Sequence, residues 1–68
     1  MNEMNTRADE IMGEINGYKQ LLANSDYKAL KYSEGLITDV EYAETKAFRE
    51  DLRAKINILE EELASLNE

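Results

Sequence analysis

From Tyr42 to Leu66 the chain repeats a helical seam in alternating steps of three and four residues: Tyr42, Thr45, Arg49, Leu52, Ile56, Leu59, Leu63 and Leu66. A register kept for more than three heptads belongs to a helix packed lengthwise on another helix. The second half of this seam is uniformly aliphatic. The first half carries Tyr, Thr and Arg where a packing seam would carry Leu or Ile, so the surroundings of Arg49 call for an explanation beyond packing.

The partner helix is predicted over residues 4–23. Met4, Ala8, Ile11, Ile15, Tyr18 and Leu22 follow the same alternation, and Met12 and Leu21 widen the stripe. Gly13 and Gly17 lie one turn apart on its flank. Each costs up to ~1 kcal/mol relative to Ala in a helix. They are either weak points on a surface face or places where a second backbone comes close, in a hairpin or an oligomer. Asn24-Ser25-Asp26 breaks the pattern, and Ser25 is the natural cap of a short helix over 26–34, with Asn24 and Asp26 as close alternatives and with Tyr27, Leu30 and Ser33 on one face. Gly35 should stop that helix in the left-handed conformation. Leu36 and Ile37 should then tuck inward as an apolar clasp. Thr38-Asp39-Val40-Glu41 has the form of a capping box, with Ile37 and Tyr42 spaced for a hydrophobic staple. It opens the last helix, predicted over 38–65. That helix is longer than the first, and an overhang would leave aliphatic surface for a second chain.

Composition supports this all-α reading. There is no proline among the 68 residues and glycine occurs three times, so nothing breaks the long helices. A single domain of this size buries only ~60% of its unfolded surface and is marginal as a monomer. The usual remedies are disulfides, a metal or self-association. The chain has neither Cys nor His, which leaves self-association. The packing positions expected to carry the fold and the oligomer are Ile11, Ile15, Tyr18, Leu22, Leu52, Ile56, Leu59 and Leu63. The net charge of −7 repels nucleic acid and anionic lipid over most of the surface. Apolar runs stop at two or three residues, too short for a membrane span or a signal-peptide core.

Candidate chemistry is sparse. Glu60, Glu61 and Glu62 fan out around a helix and cannot converge on one ion; Glu10 with Glu14, and Asp39 with Glu41 and Glu44, lack an opposing pair. No metal site and no cofactor are expected. Without His, Cys, a phosphate loop or a serine beside a base, catalysis is not expected either. One cluster stands out. Six of the eight cations fall between residues 28 and 55, interleaved with Tyr27, Tyr32, Tyr42 and Phe48. Arg49 and Arg53 share a helix face. The structural expectation is that Arg49 pairs with an acid of the short helix, Asp26 or Glu34, and stacks on a tyrosine. The functional expectation is an anion or nucleotide pocket built from Lys31, Tyr32, Arg49 and Arg53, in which arginine forks hold phosphate oxygens and a tyrosine stacks on a base. Phe48, Ile58 and Val40, off the main seam, suggest a second contact surface.

The segment Ser25-Asp26-Tyr27-Lys28-Ala29-Leu30-Lys31-Tyr32, followed by Glu34-Gly35, Glu41-Tyr42, Arg49, Arg53 and Ile56-Asn57, resembles a DYKAIKYAEG…EEYA…R…R..IN.LE pattern. That pattern belongs to small proteins and C-terminal segments encoded by phages and prophages of Gram-positive bacteria, some of them tail-associated. The likeness covers roughly residues 22–60, with Ser33 where Ala is usual and Asp39-Val40 in place of a more acidic pair. It implies a phage-encoded protein, in the host cytoplasm or associated with the virion, and supplies no ligand or catalytic residue. The combined expectation is a helical hairpin that assembles as a homo-oligomeric bundle. It would act as a non-enzymatic interaction or assembly protein. The alternative is an anti-defence protein that sequesters a nucleotide immune signal or blocks a host immune effector.

Overall fold

The computed structural model describes residues 6–66, which form two helices of equal length: α1, Thr6–Ser33, and α2, Asp39–Leu66, each of 28 residues. They pack side by side and antiparallel. Arg7 meets Glu62 at the open end, Leu22 meets Arg49 in the middle, and Tyr32 meets Tyr42 beside the turn. The body measures 49 × 18 × 15 Å.

The packing strip is the one that the three–four spacing marks. Ile11, Ile15 and Ile56 form the buried cluster, with Tyr18, Leu22, Leu59 and Leu63 packed against it. Leu52 and Tyr42 are buried further toward the turn. Met4, at the start of the α1 seam, lies outside the described residues.

The turn is built from two opposed capping devices. Gly35 adopts φ +76°. Its N–H donates to the Tyr32 carbonyl at 3.0 Å, and the Leu36 N–H donates to the Lys31 carbonyl at 2.8 Å. This pair of bonds satisfies carbonyls that the end of α1 would leave open. At the start of α2, the Glu41 N–H donates to Thr38 Oγ1 and the Thr38 N–H donates to Glu41 Oε1, both at 3.1 Å, which is a closed capping box.

Three expectations are corrected. There is no separate helix over 26–34, because α1 runs without interruption through Asn24-Ser25-Asp26 to Ser33. These residues favour caps because their side chains compete for backbone groups. Here the Ser25 hydroxyl donates to the Leu22 carbonyl at 2.9 Å within the continuing helix, and Arg49 donates to the same carbonyl and to Ser25. A contact from α2 thus occupies the groups that would otherwise have ended α1. Secondly, the equal helix lengths remove the predicted overhang. Thirdly, Leu36 does not join a clasp: it is 66% exposed, and only Ile37 is half-buried.

Candidate functional site

Arg49 is the buried charged residue of the hairpin, 9% exposed. Its Nη1 donates to the Leu22 carbonyl at 2.9 Å and to Ser25 Oγ at 2.6 Å, and pairs with Asp26 Oδ1 at 2.9 Å. Desolvating a guanidinium is costly unless its donors are satisfied. Here one turn of α1 supplies a carbonyl, a hydroxyl and a carboxylate. Asp26 is itself largely exposed, so the pair sits at the rim of the interface. Of the two acids expected to pair with Arg49, Asp26 does so. The cations that lie over tyrosine rings are Lys31 on Tyr27, at 5.7 Å, and Lys55 on Tyr18, at 5.6 Å.

The other residues of the expected anion site stand apart. Tyr32 stacks on Tyr42 with ring centres 4.4 Å apart and planes 9° from parallel. Its hydroxyl donates to Asp39, and that bond to a carboxylate raises the Tyr32 pKa above its ordinary value. Lys31 is exposed in the last turn of α1, and Arg53 is exposed on α2, one turn beyond Arg49. No hydrogen bond, ion pair or ring contact among the described residues joins any two of the four candidates.

Two open grooves lie between the helices. The first, of about 240 Å³, is lined by Leu21, Asn24, Ser25, Tyr27, Lys28, Thr45 and Phe48. The second, of about 190 Å³, is lined by Glu14, Tyr18, Lys55, Ile58 and Leu59. Both fall below the ~300–1,000 Å³ of a typical small-molecule site. None of Lys31, Tyr32, Arg49 or Arg53 lines either groove. The grooves follow one another along one side of the hairpin, because lining residues recur at three–four steps on α1, Glu14, Tyr18, Leu21, Ser25 and Lys28, and at steps of seven and three on α2, Phe48, Lys55 and Ile58. The flanking rhythm Leu21-Ser25-Lys28 was the signal that could have named the first groove.

Ion pairs border this side. At the open end Arg7 forks onto Glu62, Nε to Oε2 at 2.7 Å and Nη2 to Oε1 at 3.0 Å, and these bonds hold the Glu62 pKa below the usual carboxylate value. Lys55 pairs with Asp51 at 2.9 Å, and the bond to that carboxylate raises the pKa of its ammonium. No metal-binding group of three or more His, Cys, Asp or Glu occurs among the described residues, and no helix there is long and apolar enough to cross a membrane. Comparison with protein-family models, with curated proteins and with solved structures gives no match.

Proposed function

We propose that this chain is a non-enzymatic helical interaction and assembly protein that acts as a homo-oligomer, of the phage-encoded kind that its central segment resembles. The carrying observation is the disposition of apolar surface. Two helices enclose a core of Ile11, Ile15, Tyr42, Leu52 and Ile56. Leu21, Phe48 and Ile58 remain 41%, 45% and 63% exposed along the sides. A compact monomer of this mass exposes ~4,400 Å², whereas the hairpin exposes 5220 Å². A hairpin with this much lateral apolar surface gains stability by covering it with a like partner.

The interaction reading also fits the sites. The grooves are shallow, and Arg49 is committed to α1. A nucleotide pocket would have to break the Arg49 contacts or gather its parts from several copies. Light scattering after size separation tests the proposal. A mass that is a multiple of 7.8 kDa is expected. A monomer at all concentrations would overturn it.

A further inference from the structure

Resting on that reading, we infer which face associates and how: the side carrying both grooves packs on the same side of a second copy, turned end over end, to give an antiparallel four-helix bundle. On α1 this side presents Arg7, Glu10, Glu14, Tyr18, Leu21, Ser25 and Lys28. On α2 it presents Glu41, Glu44, Phe48, Asp51, Lys55, Ile58 and Glu62. Each series advances at steps of three and four, so each is one stripe of its helix. On α1 the apolar residues occupy the middle of the stripe and the charges lie toward the ends; on α2 Phe48 and Ile58 flank the central pair Asp51 and Lys55.

Two stacked copies can be related by a two-fold axis lying in the interface, either across the helices or along them. An axis across the helices lays α1 on α1 and α2 on α2 with direction reversed. Centred between Tyr18 and Leu21, it passes between Asp51 and Lys55 on α2, because Lys55 lies over Tyr18 and Arg49 reaches Ser25 across the hairpin. Tyr18 of one copy then meets Leu21 of the other, and Phe48 meets Ile58. Asp51 meets Lys55, Lys28 falls between Glu10 and Glu14, and Glu44 meets Glu62, whose charge Arg7 already holds. Apolar residues face apolar residues, and Lys28 and Lys55 face acids. An axis along the helices instead sets α1 on α2. Tyr18 would then face Lys55, Leu21 would face Asp51, and Glu10 would face Glu62. That alignment buries charge against apolar groups, which is unfavourable. The area also suffices. One broad side of a 49 × 18 × 15 Å body spans on the order of 900 Å² in projection, against ~800 Å² per partner in a standard interface.

The test combines substitutions with cross-linking in a chain that has no native cysteine. Phe48→Asp and Ile58→Asp should each weaken association roughly thirtyfold or more, while Leu30→Asp, on the far side of α1, should leave it unchanged. A mixture of Glu14→Cys and Lys28→Cys chains should form disulfide-linked dimers, and a mixture of Lys28→Cys and Glu44→Cys chains should not. These cysteines replace exposed residues, so the cross-links decide the matter even if an aspartate variant fails to fold. An oligomer that resists Phe48→Asp and Ile58→Asp, yields to Leu30→Asp, or links position 28 to 44 rather than to 14 would overturn this face or alignment and leave assembly itself standing. A wild-type monomer would overturn both.

Discussion

Arg49 ties α2 to α1 at one level of the hairpin, through the Leu22 carbonyl, Ser25 and Asp26. Alanine there removes a buried guanidinium and its charge-assisted bonds, each worth ~1.5–3 kcal/mol where the partner cannot be resolvated. Here the partners recover in part. Asp26 is open to water, and the Ser25 hydroxyl keeps its bond to Leu22. The expected loss for Arg49→Ala is therefore about 2 kcal/mol, with a smaller loss for Arg49→Lys, whose ammonium can stand in for the single Nη1 that makes all three contacts but sits on a shorter stem. Arg53→Ala, on the exposed face one turn away, should stay within about 0.5 kcal/mol of wild type. Urea midpoints of the three variants check this. If instead nucleotides stabilise the wild type and both arginine variants lose that response, a ligand role for the cluster is the better account. The sequence marks Arg49 as anomalous because it stands where a seam carries an aliphatic residue, and charge narrows its partner to two acids. The role of Ser25 is not legible in this way. Its hydroxyl serves equally as a cap or as a link within a helix, and only the approach of Arg49 selects between them.

The same ambiguity explains what could be read at the level of the helices. Caps with reciprocal chemistry are local and leave a clear trace: Thr38 with Glu41 opens α2, and Gly35 closes α1. The Asn24-Ser25-Asp26 trio signals an end only if no tertiary partner answers its polar groups, and one does. The fate of Leu36 is equally non-local: it stays 66% exposed while Ile37 beside it is half-buried, and the spacing of two adjacent apolar residues does not choose between them. The three glycines separate these cases experimentally. At Gly35, φ +76° is a conformation that costs an L-residue ~1–2 kcal/mol, so Gly35→Ala should destabilise by about that amount. Gly13 and Gly17 lie inside α1, and a Cβ at either would meet nothing within 4 Å in the hairpin. Gly13→Ala and Gly17→Ala should each stabilise by up to ~1 kcal/mol through helix propensity. Thermal melts give the signs directly. A loss at position 13 or 17 would show that another backbone packs there in the assembled protein.

On the scale of the whole molecule, folding and association are coupled if the hairpin depends on a second copy to cover its side. The midpoint of unfolding then depends on concentration, which it does not for a monomer that folds alone. For a dimer, tenfold more protein adds ~1.4 kcal/mol to the free energy of unfolding per dimer. Unfolding entropy is about 2.1 cal/mol/K per residue, so two chains of this length gain ~5 °C in midpoint for each tenfold step. The Phe48→Asp and Ile58→Asp variants should melt lower and lose that dependence together, because one face supplies both effects. Leu30→Asp should keep it. Melts followed by circular dichroism over two decades of concentration give both readings at once. A midpoint that stays fixed over that range, with helix content intact, would mean that the buried strip from Ile11 to Tyr42 is enough by itself and that the lateral apolar residues are not covered by a second copy.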